Sequence, residues 1–98
     1  MIERININEE RLDKALATIK KLEEAIEDFK SNKKNIQLVS KYYGSNNWHK
    51  DKEAYENGSI PKIKAGVLSE DAVWNMLDDV DNVILEMKKI VNSYSNKK

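Results

Sequence analysis

The chain is 98 residues long, which is enough for one domain with an ordinary apolar core and too short for two. Apolar residues make up 40% and charged residues 35% of it, a composition that suits amphipathic helices better than strands. Basic and acidic residues balance at 17 each and cysteine is absent, which excludes a strong overall field for nucleic acid, a disulfide framework and a thiolate metal site.

The start of the chain and its apolar runs bear on its cellular location. The chain opens with Met1-Ile2-Glu3-Arg4, which is not the basic start followed by an apolar run that a signal peptide has. No apolar run approaches the ~18 residues that span a bilayer. We therefore expect a soluble cytoplasmic protein that does not bind a membrane.

The first predicted helix covers about residues 5–30 and is the clearest element. Apolar residues recur in it at spacings of three and four, which keeps one stripe facing a partner helix. The stripe consists of Ile5, Leu12, Ala15, Ile19, Leu22, Ile26 and Phe29. A break of a residue or two at Ser31-Asn32 separates it from a second helix over about 32–43, which Gly44 closes.

Two serines are predicted to start the remaining helices. Ser45 is the expected N-cap of a short third helix over about 46–56, and a loop-rich segment over about 57–68 follows it. Ser69 is the expected N-cap of the last helix, with Glu70 and Asp71 in its first turn. This helix covers about 70–95, and the lysine-rich tail over about 94–98 is expected to fray. Its apolar stripe comprises Val73, Leu77, Val80, Ile84, Met87, Val91 and Tyr94.

These lengths predict an all-α fold in a single domain over residues 1–98. We expect a small helical bundle in which the two long helices, about 5–30 and 70–95, run antiparallel. The two shorter helices, about 32–43 and 46–56, cap one end of it. The other end is then only two helices thick and leaves apolar edges in water, so we also expect a homodimer.

Few residues have the arrangement that chemistry requires. His49 and Asp51 lie on different sides of the third helix, so they do not form a metal pair or a base with its orienting group. Asp78 and Asp81 form a carboxylate pair, but a solvated helix face explains them better. No nucleophile elbow, phosphate-binding loop or zinc pattern occurs. We therefore expect no cofactor, no metal and no enzymatic activity.

The aromatic and basic residues of the middle segment are the candidates for an interaction surface. Packing of the loop-rich end onto the bundle is the favoured interpretation of the rings, and a protein-docking face is the next. Nucleic acid is not expected as a partner because this segment contains no arginine to bind phosphate in a fork. The candidate surface comprises Tyr42, Trp48, His49, Lys50, Lys52, Tyr55 and Lys62.

Two sequence words in the middle of the chain are the most distinctive. They are Tyr42-Tyr43-Gly44-Ser45 and Gly66-Val67-Leu68-Ser69-Glu70-Asp71, accompanied by Trp48, Asp51, Gly58 and Pro61. Together they resemble a family of short, all-helical proteins of Gram-positive bacteria that is classed as a domain of unknown function. The resemblance covers nearly the whole chain and implies the fold and a cytoplasmic bacterial setting. It implies no activity and no functional residues.

The same words suggest a polar clasp at the loop-rich end. Ser69, Glu70 and Asp71 are placed to satisfy amides at the start of the last helix, and Asp51 is expected to bond to a nearby turn or to one of the tyrosines. We interpret these four residues as structural. The function predicted from the sequence is a small non-enzymatic interaction or adaptor module that binds an unidentified protein or a second copy. The alternative is a small-ligand binder or enzyme with a pocket at the aromatic end, lined by Tyr42, Trp48, His49, Asp51 and Tyr55.

Overall fold

The computed structural model of the protein describes residues 1–95, and these form four α-helices and a short 3-10 helix without a strand. The α-helices are α1 (Ile2–Ser31), α2 (Lys33–Tyr42), α3 (Asn46–Glu56) and α4 (Glu70–Ser95), and the 3-10 helix is Gly66–Leu68. The all-α prediction is confirmed. The chain divides into two compact units, Met1–Ile36 and a second that begins at Gln37. The antiparallel pairing of the long helices stays a prediction.

The first unit consists mainly of α1. This helix has 30 residues, which corresponds to a length of about 45 Å. It begins at Ile2 with Glu3 in its first turn and Lys30 in its last, an arrangement that suits the helix dipole at both ends. None of its residues is buried, and the predicted stripe from Ile5 to Ile26 is solvent-exposed.

The predicted break after α1 is a single residue, Asn32. Its backbone has φ −91° and ψ 0°, and its N–H donates to the carbonyl of Asp28 at 3.0 Å. On the other side of the break, the N–H of Ile36 donates to the carbonyl of Asn32 at 3.0 Å. Asparagine has the backbone N–H that proline lacks, so helical hydrogen bonding continues through this position with little interruption.

Local signals set the ends of the short helices in the second unit. The chain leaves α2 through Gly44, whose φ of +77° lies in the left-handed region that favours glycine. Ser45 then caps α3, since its Oγ accepts a hydrogen bond from the N–H of Trp48 at 3.2 Å. After α3 the chain turns through Gly58, with φ +78°. Both predicted boundaries of α3 are confirmed.

Ser69 caps α4 as predicted. Its Oγ accepts from the N–H groups of Asp71 and Ala72, each at 3.3 Å. The helix continues to Ser95, so the first two residues of the tail that was expected to fray, Tyr94 and Ser95, are helical. The rest of that predicted tail, residues 96–98, lies outside the described residues. Among residues 1–95, no helix has both the length and the apolar character needed to cross a membrane.

The core of the second unit lies where α3, the 3-10 helix and the start of α4 meet. Trp48, Leu68 and Val73, one from each of these elements, are the buried side chains of the described residues. Because the core is confined to this end, the C-terminal half of α4 continues beyond it with its side chains exposed. The second unit therefore has a closed end and a long exposed helix.

Candidate functional site

Trp48 is the centre of the closed end. Its side chain is 4% exposed, and its indole N–H donates to the carbonyl of Val67 at 2.9 Å. The ring of Tyr43 meets it edge-on, with the centroids 5.2 Å apart. Trp48 was placed by the sequence on a candidate interaction surface. The structure instead puts it inside, where it attaches the segment before α4 to α3.

The two adjacent tyrosines at the end of α2 bind different elements. The hydroxyl of Tyr42 donates to Oδ2 of Asp51 at 2.6 Å, and the hydroxyl of Tyr43 donates to the carbonyl of Glu70 at 2.8 Å. The first bond is among those the sequence allowed for Asp51. The second joins the turn after α2 to the first residue of α4. The clasp proposed from the sequence therefore includes Tyr43, which donates to a backbone carbonyl that no sequence pattern identifies.

The bond between Tyr42 and Asp51 changes the acidity of the phenol. The hydrogen bond to the carboxylate raises the pKa of Tyr42 to about 12, with smaller contributions from partial desolvation and from the negative charge of Asp51. A phenol held in its neutral form at all physiological pH values serves as a donor and not as a base. The Tyr42 hydroxyl therefore keeps its proton and its hydrogen bond to Asp51 throughout this pH range.

Lys52 links α3 to α4. Its Nζ lies 3.0 Å from Oε1 of Glu56 and 3.3 Å from Oε1 of Glu70, and it is 5.7 Å from the centroid of the Trp48 ring. The hydrogen bonds to Glu56 and then to Glu70 raise the pKa of Lys52 above its ordinary value. Both carboxylates are solvent-exposed, so each ion pair makes only a small contribution to stability.

The loop after α3 is attached through Tyr55. Its hydroxyl donates to the carbonyl of Ile63 at 3.2 Å, and Nζ of Lys62 lies 4.5 Å from the centroid of its ring. Within the loop, Asn57 Oδ1 accepts from the N–H of Ser59 at 2.9 Å. These contacts hold a proline-containing segment that has no regular secondary structure of its own.

The structure thus separates the seven residues of the candidate surface into two groups. Five of them contact other residues of the closed end, although Lys62 is itself solvent-exposed: Tyr42, Trp48, Lys52, Tyr55 and Lys62. His49 and Lys50 are exposed on α3, where the edge of the histidine ring also contacts Trp48. Every buried side-chain nitrogen or oxygen of the described residues has a hydrogen-bond partner. No cluster of three or more potential metal ligands occurs in the described part of the chain.

A group of exposed apolar side chains in the second unit lies on one face of α4, beyond the closed end. Six large apolar side chains there are between 36% and 71% exposed. We name this surface the α4 apolar band, and it consists of Val83, Ile84, Met87, Ile90, Val91 and Tyr94. Sequence periodicity indicated four of these residues as a core stripe. The stripe does not include Val83 and Ile90, which lie seven residues apart along one of its edges. Their spacing shows that the apolar face is wider than the stripe.

Comparison with known proteins shows which family this chain belongs to. No curated protein and no solved structure matches it. A family model described as a domain of unknown function, DUF4298, matches residues 5–90. This range includes α2 and α3 completely and leaves out only the start of α1 and the end of α4. The resemblance to a domain of unknown function is confirmed, whereas the Gram-positive setting stays a prediction, and the chain belongs to the DUF4298 family of domains of unknown function.

Proposed function

We propose that this protein is a non-catalytic protein-interaction module of the cytoplasm, with the α4 apolar band as its contact surface. One observation carries the proposal. The band stays 36–71% exposed along a fully formed helix, whereas Trp48 and Tyr55 of the closed end are engaged in contacts within the chain. A partner helix or groove would remove this surface from water.

The α4 apolar band is large enough to bind a partner. Its six residues extend from Val83 to Tyr94, about 17 Å along the helix axis. Complete burial of one fully exposed side chain of this kind is worth roughly 1.5–3 kcal/mol, and the six residues are 36–71% exposed, so the band offers several kcal/mol of burial against the costs of association. A contiguous exposed patch of this kind on a soluble protein marks an interaction site.

Polar residues define the limits of the band on the helix. Lys88 lies along one edge and Asp79 and Glu86 along the other, and the opposite side of α4 carries Asp78, Asn82 and Lys89 together with Leu85. The apolar surface is thus a stripe with a polar border. This arrangement is the one expected for a helix that docks by one face.

A second candidate function uses the closed end. A shallow groove there is lined by side chains of α3 and of the segment that leads into α4, including Lys52, Tyr55 and Leu68. It offers the phenol of Tyr55 and the apolar side chain of Leu68 to a small ligand, next to the Lys52 ammonium and the two glutamates that pair with it. A thermal-shift screen tests this candidate, since a ligand at 100 times its dissociation constant adds about 2.7 kcal/mol of stability. A lack of any shift across a metabolite library would remove it.

The proposed function is tested by crosslinking in cells. A photocrosslinking amino acid replaces Ile90 in the band or, as the matched control, Leu85 on the opposite side of α4. Both native residues are 52% exposed, so the probes have equal access to solvent. We expect protein adducts from position 90 and not from position 85. Equal yields at the two positions, or no adduct at position 90, would refute the proposal.

A further inference from the structure

We infer that the partner of the α4 apolar band is a second copy of this chain, in a dimer whose core combines the long helices of both copies. This inference rests on the proposed function and identifies the partner for the same surface. Three features of the described residues support it: the width of the band, the lengths of the helices and the pattern along α1.

The apolar face of α4 is wider than one partner helix covers. At 100° per residue, the side chains from Met76 to Tyr94 that line it spread over about 140° of the helix circumference. A pairwise seam uses only two positions of each heptad, whereas Val83 and Ile90 add a third. A helix with such a face has neighbours on both edges, as in a four-helix core.

The helix lengths show that one chain cannot supply both neighbours. α4 has 26 residues, about 39 Å, whereas α2 and α3 have 10 and 11 residues and extend only about 15 Å each. α3 also meets the 3-10 helix that precedes α4, at the opposite end from the band. Among the described elements, α1 is the one other long helix. A second long neighbour must come from another molecule, and a second copy provides it.

The stripe of α1 matches that of α4 in antiparallel register. With α1 of the second copy set so that Ile5 faces Tyr94, Leu12 faces Met87 and Ile19 faces Val80. All the α1 residues in this match are exposed in the structure.

The charges that flank the two stripes agree with the same register. Glu9 of α1 then lies beside Lys88 at the edge of the band, so opposite charges meet. The register therefore brings together apolar layers along the seam and an ion pair at its border. These features favour another copy of this chain over an unrelated partner.

Sedimentation equilibrium of purified protein tests the inference. The variant Val91→Glu places a charge in the band at a side chain that is 61% exposed, and Leu85→Glu makes the same type of change on the opposite side of the helix. We expect wild type and Leu85→Glu to be dimers at about 50 µM and Val91→Glu to dissociate with a Kd raised more than ~10-fold. Circular dichroism checks that all three retain their helices. A monomeric wild type at this concentration, or a Val91→Glu variant that dimerises like wild type, would overturn the inference.

Disulfide trapping adds a measurement that does not depend on a disruptive change. The chain contains no cysteine, so a mixture of separately purified Leu12→Cys and Met87→Cys variants forms a mixed disulfide only across two copies. We expect a covalent pair of unlike chains under mild oxidation, and its absence would contradict the register. If wild type is monomeric but position 90 crosslinks to another protein in cells, the dimer fails and the proposed function stands. If both experiments are negative, both fail.

Discussion

Replacement of Trp48 by alanine is predicted to destabilise the protein strongly, whereas the same replacement at Trp74 is not. The chain contains two tryptophans, and they differ in one respect that matters here. Trp48 is 4% exposed and Trp74 is 60% exposed. The pair is therefore a matched test of whether the closed end is as well packed in solution as in the structure.

The size of the effect follows from the contacts of Trp48. Truncation of a buried tryptophan to alanine costs about 3–5 kcal/mol through lost burial and the cavity that remains. The carbonyl of Val67 also loses the indole N–H at 2.9 Å, which adds about 1 kcal/mol if water does not replace it. Because the core here consists of three buried side chains and can partly relax around the cavity, we expect Trp48→Ala to lower the free energy of unfolding by about 4 kcal/mol. An exposed residue such as Trp74 contributes within about 0.5 kcal/mol.

Urea unfolding followed by circular dichroism measures this difference. With a slope of about 2 kcal/mol per molar urea for a chain of this size, Trp48→Ala lowers the midpoint by about 2 M. Trp48→Phe keeps an aromatic ring but removes the N–H donor, and we expect it to lie between wild type and alanine. Equal midpoints for Trp48→Ala and Trp74→Ala would refute the view that Trp48 holds the closed end together.

Three further predictions concern the turns and the clasp. Ser69→Ala removes the cap that accepts two N–H bonds at the start of α4, and we expect a loss of about 1 kcal/mol and a melting temperature about 4–8 °C lower in a thermal scan. Because the pKa of Tyr42 is raised to about 12, the hydrogen bond from its neutral phenol contributes fully to stability below pH 10, and this contribution is lost as the pH rises through 12. In a titration followed by tyrosinate absorbance, we expect wild type to contain one phenol that ionises late. In Asp51→Asn the same phenol should ionise in the ordinary range. Gly44→Ala places a side chain at φ +77° and should cost about 1–2 kcal/mol, whereas Gly66→Ala, with open space and no positive φ, should be neutral or slightly stabilising in the same thermal assay.

The sequence was sufficient for the helices because their ends are set by local chemistry. The caps by Ser45 and Ser69 depend on N–H groups two or three residues away, and Gly44 acts through its own backbone. Such interactions are readable wherever the chain is folded. The break at Asn32 was likewise placed correctly.

The hydrogen bonds of the candidate site were predictable only where a side-chain donor meets a side-chain acceptor. The bond between Tyr42 and Asp51 was among the alternatives for that reason. Val67 and Ile63 take part through their carbonyl groups, which every residue possesses, so no residue type indicated them. Their roles depend on the path of the loop between α3 and α4, which tertiary packing decides.

The α4 apolar band shows a different limit of sequence reasoning. Periodicity correctly indicated that Ile84, Met87 and Val91 share one face of the helix. An apolar face has the same pattern whether its own chain or a second molecule covers it. The exposure of these residues in the structure is what directs attention to a partner.

The hydrogen bonds that fasten the closed end also determine the order in which the protein assembles. They join residues that are close along the chain: the tether from Tyr55 spans 8 residues, the indole bond of Trp48 spans 19, and the bond from Tyr43 to Glu70 spans 27. The entropy of closing a loop grows only slowly with its length, and folds built from local contacts form in microseconds to milliseconds. This end of the molecule is therefore expected to fold quickly and at a rate independent of concentration. The dimer would form in a second, slower phase whose rate rises with protein concentration, so that each copy meets its partner with one end already complete.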